Sequence, residues 1–214
     1  MRGERRLRPA AIAATLALAA LLGVAIGLLL HMSSSPARSP AAAEAGIPSQ
    51  FTGAQLPPGT RAPGFTLTDQ HGGRVSLASY RGQVVVLTFL YAGCVPGCVL
   101  IGQQIRGALA ELPRPVPVLI VSVDPAADTR RRVSAYLAQV GLTGRASYLT
   151  GPLSQLQPIW HAYHVVPPSV GKRDFEATVP VYLIDREGEE SVLYEQPELT
   201  PESLAHDIGK LGGG

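Results

Sequence analysis

Two cysteines occur in the 214-residue chain, Cys94 and Cys98, separated by three residues in the stretch YAGCVPGC that runs from Tyr91. At the start of a helix this spacing puts both side chains on one face, with Cα atoms about 6 Å apart. That lies inside the disulfide range of ~4.4 to 6.8 Å. Helix-terminal N–H groups lower a thiol pKa from its free value of about 8.5 and favour the thiolate. Gly93, Pro96 and Gly97 impose a turn and keep bulky side chains off the sulfurs. Such a pair can exist as a dithiol, a disulfide or a bidentate soft-metal site. A purely structural disulfide is a poor account, because so short a loop constrains little of the unfolded chain. Two inert buried thiols are a poor account outside the cytoplasm, where free thiols oxidise. A working pair is favoured: it exchanges disulfides through a mixed-disulfide intermediate, or it holds Cu(I), the soft ion that thiolates prefer. Zinc fits less well, since a closed zinc site takes four ligands and only two cysteines are present here.

The elements around the pair follow from hydrophobic periodicity. VVVLTFLY (84–91) is a near-continuous, β-branched apolar run, as expected of a strand buried on both faces. After the cysteines, Ile101, Ile105, Leu109 and Leu112 recur at helical spacing. VPVLIVSVD (116–124) predicts a second buried strand, leading into a helix with Val133, Tyr136, Leu137 and Val140 on one face. ASYLTG (146–151) predicts a short strand, and LSQLQPIWHAYHV a helix interrupted or kinked at Pro158. A polar loop over 166–178 precedes a third buried strand, VPVYLID (179–185), and SVLYEQ is expected as an edge hairpin. Thr200-Pro201 starts a last helix with a capping residue and a proline at the first position. Before all of these, FTLTD and RVSLAS alternate around QHGG as a hairpin. The pattern is that of an α/β sandwich around a mixed central sheet, with the cysteines at the carboxyl end of its first buried strand, where open α/β sheets place their chemistry.

The N-terminal third reads differently. Residues 1–8 carry Arg2, Arg5, Arg6 and Arg8 against Glu4, and residues 9–30 carry no charge. A helix of that length crosses a hydrocarbon core of about 30 Å, and the arginines orient it with the N-terminus cytoplasmic. The expected organisation is a cytoplasmic tail over 1–8, a single transmembrane signal anchor over 9–31, a flexible Ser/Ala/Pro-rich linker over 32–60, and an extracytoplasmic domain over 61–214. A cleaved signal peptide is the alternative, with small residues at 41–46. A net charge of +2, which the arginines of residues 1–8 alone exceed, gives no indication of a nucleic-acid partner.

FTLTDQHGGRVSLASYRGQVVVLTFLYAGC, then VSVDPAADT, then YLIDREGE, resemble in order and spacing the SCO/SenC proteins. The resemblance, from about residue 61 onward, implies a thioredoxin-like fold and a membrane-anchored factor that helps load copper into a respiratory oxidase. It implies redox-active, copper-ligating roles for Cys94 and Cys98, and supporting positions for Asp124 and Asp128 in the DPxxDT element. The alternative for this element is that Asp128-Thr129 caps the next helix, with no role in chemistry. Val95 and Val99 replace the prolines usual after each cysteine. The family's third copper ligand, a histidine, aligns with Ala177, and no histidine lies between His164 and His206. None of His161, His164, His71 and His206 is a compelling substitute. Two thiolates alone still suit Cu(I) in linear geometry. Pro180, after Val179, matches the cis-proline segment of thioredoxin-like oxidoreductases. A peroxiredoxin would require a threonine where Tyr91 stands. The implied function is copper-site maturation of an oxidase, by thiol–disulfide reduction or by binding and transfer of copper(I), with the oxidase copper subunit or another extracytoplasmic thiol protein as partner. A general thiol–disulfide oxidoreductase, or a non-enzymatic redox sensor or interaction module, are the alternatives.

Overall fold

The computed structural model describes residues 50–168 and 179–212. The tail over 1–8, the anchor over 9–31, most of the linker and Ala177 lie outside these residues. Among the described residues, no helix is long and apolar enough to cross a membrane.

Six strands form one sheet. In chain order they are β1 (Ala54–Gln55), β4 (Val85–Leu90), β5 (Val118–Ser122), β6 (Ala146–Leu149), β7 (Val181–Ile184) and β8 (Glu190–Tyr194), and the spatial order is β1-β8-β7-β4-β5-β6. β2 (Thr66–Thr68) and β3 (Arg74–Ser76) make the separate antiparallel hairpin that the alternation predicts. β4, β5 and β6 run parallel, whereas β7 is antiparallel to β4 and to β8. Every residue of β4, β5 and β7 is buried, so the central sheet is covered on both faces as the unbroken apolar runs require.

Four helices supply the cover: α1 (Gly97–Glu111), α2 (Arg130–Gln139), α3 (Leu153–Ala162) and α4 (Pro201–Gly212). α1 packs against α4 and touches α2. Pro158 sits within α3 without ending it. Tyr163, just after α3, stacks against Phe89 of β4 (5.1 Å) and Tyr182 of β7 (5.5 Å), joining α3 to the middle of the sheet. Thr200 caps α4, its hydroxyl accepting from the Ser203 N–H at 3.1 Å.

The expected linker ends earlier than residue 60. β1 pairs with β8, and the Thr52 and Gly53 N–H groups both donate to the Asp207 carboxylate of α4 at 3.0 Å. Gly53 is required there, since a Cβ would lie 2.6 Å from Val192 Cγ1. β8 is consequently an inner strand, not an edge. Residues 50–60 escape hydrophobic patterning because both side chains of β1 are exposed, and the hold combines backbone groups, one buried acid and the isolated apolar contacts of Phe51 and Leu56 with the core.

Asp207 is fully buried and also accepts from the Tyr194 hydroxyl at 2.5 Å, with His206 Nδ1 at 2.8 Å from its other oxygen. Burial alone would raise its carboxyl, but hydrogen bonds from Gly53, Tyr194, Thr52 and His206 outweigh it and hold the group below its ordinary value. A folded pKa below the unfolded one means that Asp207 adds stability above about pH 3.9, and that this contribution fades as pH falls through the folded value. Urea unfolding across a pH series should therefore show a flatter acid limb for Asp207→Asn. Asp207→Ala should lose on the order of 3 kcal/mol at neutral pH, because the Thr52, Gly53, Tyr194 and His206 donors are left without their acceptor. An acid limb unchanged in Asp207→Asn would contradict this account.

Candidate functional site

β4 ends at Leu90, and its parallel neighbour β5 ends at Ser122, so the segments that follow them emerge at the same end of the sheet. The first carries the cysteines and the second carries Asp124 and Asp128. β7 begins at this end too, since Val181 pairs with Thr88, and the Thr88 hydroxyl donates to the Pro180 carbonyl at 2.8 Å. Three sequence-predicted features therefore converge at one end of the sheet: the cysteine pair, the DPxxDT element and Pro180.

Cys94 and Cys98 are joined as a disulfide with Cα atoms 5.4 Å apart, so the pair stands in its oxidised form. Only Cys98 belongs to α1. Cys94 precedes it in a tight turn in which the Cys94 N–H donates to the Tyr91 carbonyl at 3.1 Å. Helix geometry thus governs one cysteine and turn geometry the other, which corrects the expectation of two cysteines on one helical face. Both cysteines are fully buried, while Val95 between them is 60 % exposed and Leu100, a turn later, is 44 % exposed. No charged residue occurs between Val84 and Ile105. The segment that carries the pair is thus uncharged and exposes the apolar side chains of Val95 and Leu100.

The single cis peptide bond among the described residues is Val95–Pro96, inside the cysteine loop. Val179–Pro180, expected as the cis-proline segment, is trans. Pro180 immediately precedes β7, a position where its missing N–H costs the sheet nothing.

Asp128 does not cap α2; Thr129 does, its hydroxyl accepting from the Arg132 N–H at 3.4 Å. The Asp128 side chain turns inward instead. Its Oδ1 accepts from the Ala92 N–H at 2.7 Å, and its Oδ2 accepts from the Ser122 and Tyr148 hydroxyls at 2.6 and 2.7 Å. Burial pushes this carboxyl above its ordinary value, against the opposing pull of its three donors. Burial and the adjacent acid push the Tyr148 phenol well up, so Tyr148 stays a donor. Asp124 is local, its Oδ1 accepting from the Ala127 N–H at 3.2 Å in the turn that leads to α2. On the other side of the pair, the Tyr136 hydroxyl of α2 donates to the Cys98 carbonyl at 2.7 Å. Neither Tyr136 nor Tyr148 stood out as a site residue in the sequence. Tyr136 occupies an apolar helix face and Tyr148 a buried strand, and nothing in the periodicity marks their hydroxyls.

Among the described residues, the histidines do not gather at the thiols. His71 is exposed in the hairpin turn, His161 and His164 are exposed at and just beyond the end of α3, and His206 is engaged by Asp207. The described residues contain no group of three His, Cys, Asp or Glu side chains arranged to hold a metal ion. The donor set suits Cu(I) chemically, but two sulfurs bonded to each other have no thiolate to offer, so reduction must precede any copper binding. A cavity of about 600 Å³ borders Val118 and Ala146 at the opposite, amino end of the sheet and does not serve the cysteines.

The family model for SCO1/SenC matches residues 54–212. The chain belongs to the SCO1/SenC family. This SCO1/SenC domain is similar to the copper-bound ScoI of Bradyrhizobium japonicum, at 26% identity and a TM-score of 0.56, over 71% of this chain and 99% of that one. It is also similar to BsSco, described as a member of the Sco family of cytochrome c oxidase assembly proteins with a disulfide switch. That match has 22% identity and a TM-score of 0.63, over 74% of this chain and 98% of that one, and at this identity it bears on the fold alone. Among curated proteins, one from Mycobacterium tuberculosis named as a peroxiredoxin is 33% identical over 109 residues, which is 51% of this chain and 66% of that one. The bovine mitochondrial SCO2 homolog is 31% identical over 138 residues, or 58% of this chain and 50% of that one. The SCO1/SenC chain thus spans just under two thirds of the first relative and half of the second.

α1 and α2 meet tightly below the thiols. A Cβ on Gly102 would lie 2.8 Å from the Tyr136 hydroxyl and 2.9 Å from Val140 Cβ. Gly102→Ala should therefore lower stability by about 1 to 3 kcal/mol through overpacking, even though alanine is the better helix former by about 1 kcal/mol. Thermal unfolding measures the balance, and a raised midpoint would contradict the close approach.

Proposed function

We propose that the protein is a membrane-anchored, extracytoplasmic SCO-type factor that acts through Cys94 and Cys98 on the copper site of a respiratory oxidase. In this reading it chiefly reduces the partner's copper-ligating cysteine pair. The observation that carries it is the closed Cys94–Cys98 pair at the carboxyl end of β4, in a chain that has no histidine between His164 and His206. The uncharged 9–30 run supports the anchor, as the arginines before it support the orientation.

In the reduced protein one thiolate attacks a sulfur of the partner's disulfide. The partner's S–S bond breaks, a mixed disulfide forms, and the departing partner thiolate takes up a proton. The second thiolate then attacks the mixed disulfide, closing Cys94–Cys98 and releasing the partner's other thiol. Two electrons and two protons pass to the partner, and an extracytoplasmic dithiol returns the pair to the reduced state. Cys94 is the attacker in this scheme. Its neighbours Gly93, Val95 and Pro96 are exposed, whereas Cys98 is held within α1 and by Tyr136. The apolar surface at Val95 and Leu100 suits an uncharged partner segment, and opening of the 93–96 turn admits it to the buried sulfur. The same reduced pair, with two soft thiolates, can carry Cu(I) as cargo in linear geometry. A peroxidase role, suggested by the name of the mycobacterial relative, is not adopted because Tyr91 stands where that chemistry takes a threonine.

Reduced protein mixed with a disulfide peptide built on a paired-cysteine copper loop should return one equivalent of peptide dithiol. Cys98→Ser should accumulate a mixed disulfide through Cys94, and Cys94→Ser should fall to the uncatalysed rate. Copper titration of the same samples separates the two activities. Stoichiometric Cu(I) binding lost in either variant, with no peptide reduction, would replace the reductase reading by carriage alone, and neither activity would sink both.

A further inference from the structure

We propose that Asp128 is a positioning residue that sets the reduction potential of the Cys94–Cys98 pair. It does so by fastening the turn that carries Cys94 to the aromatic frame that carries Cys98. The inference rests on the reading of the pair as a dithiol that cycles.

The connection is continuous. Asp128 Oδ1 holds the Ala92 N–H at 2.7 Å, and Ala92 lies within the turn closed by the Cys94 N–H on the Tyr91 carbonyl at 3.1 Å. Asp128 Oδ2 holds the Tyr148 hydroxyl at 2.7 Å, and the Ser122 hydroxyl at the end of β5 at 2.6 Å. The Tyr148 ring meets Tyr136 edge to face at 6.3 Å, and the Tyr136 hydroxyl holds the Cys98 carbonyl at 2.7 Å. One carboxylate thus bridges the β4 extension and the β5–β6 frame, and Tyr136 ties that frame to α1.

A disulfide between two cysteines of one chain is favoured over the dithiol in proportion to the effective concentration of one thiol at the other. A brace that holds both backbones raises that concentration and makes the potential more negative. Loosening the brace makes it less negative. Asn at position 128 keeps the size of the side chain but replaces one acceptor oxygen with a donor. It therefore cannot hold the Ala92 N–H and both hydroxyls as the carboxylate does.

The full chain, in detergent, is equilibrated with mixtures of reduced and oxidised dithiothreitol. In that reaction Cys94–Cys98 is reduced to two thiols as the reagent's two thiols close to its cyclic disulfide. Asp128→Asn should shift the equilibrium about tenfold toward the dithiol, or about 30 mV less negative. Tyr148→Phe should shift it less, in the same direction. Asp207→Asn is the control: it alters another buried carboxylate, whose partners are Thr52, Gly53, Tyr194 and His206, and should lower stability without moving the potential. The proposal is overturned if Asp128→Asn stays within about twofold of the wild type, or if Asp207→Asn shifts the equilibrium as far. Should Asp128→Asn not fold, an unmoved potential in both Tyr148→Phe and Ser122→Ala overturns it. A wild-type pair that never equilibrates with a dithiol overturns the cycling reading and this inference with it. A reversible wild-type pair with an unmoved Asp128→Asn potential overturns the inference alone.

Discussion

Strand β4 is the constraint on which the rest depends. It is paired on both sides, parallel to β5 and antiparallel to β7, and buried along its whole length. A one-residue slip of such a strand would turn every side chain to the opposite layer and break its fitted packing on both faces. Its carboxyl end is accordingly a fixed point, and the cysteine turn begins one residue beyond it. The neighbours inherit that precision: Ser122 ends β5, and Val181 opens β7 beside Thr88. A rigid strand end suits a pair of sulfurs that must be close enough to bond and yet free to part.

Buried polar groups connect this strand end to its surroundings. The Trp160 indole donates to the Ser122 carbonyl at 3.0 Å, the Tyr182 hydroxyl to the Tyr163 carbonyl at 2.9 Å, and the Tyr163 hydroxyl to the Pro63 carbonyl at 2.8 Å. Each places a large ring in the core and spends its one polar atom on a backbone acceptor. Among the described residues no buried side-chain nitrogen or oxygen is left without a partner. The thiol end of the sheet is therefore specified by directional bonds as well as by apolar packing, and that combination favours one arrangement over many.

Much of this was legible in the sequence for a simple reason. Elements that bury a periodic face announce themselves, and so β4, β5 and β7 stand out as unbroken runs and α1 and α2 as faces of Ile, Leu and Val. The cysteines announced themselves by spacing. What escaped was held by groups whose partners are remote in sequence. Thr52 and Asp207 are 155 residues apart, and Ala92 and Asp128 are 36 apart. Asp128-Thr129 just before a helix reads as a cap, and only the tertiary structure reveals that the threonine alone takes it and that the acid faces inward. Likewise, either proline could have borne the cis bond, and the choice lies in local geometry that composition does not encode.

The strand registers also fix where the chain enters the domain. Leu87 pairs with Tyr182, Tyr182 with Leu193, and Leu193 with Ala54. Gly53 is thus level with Thr88, and the residues before it point toward the end of the sheet that bears the cysteines, three strand spacings or ~14 Å across from β4. Whatever holds the upstream segment holds the domain from its reactive end. Under the proposed membrane anchoring, the thiols work on a leash that begins beside them. Its contour length, up to about 3.5 Å for each residue, sets how far from the attachment point a partner can stand and still be met.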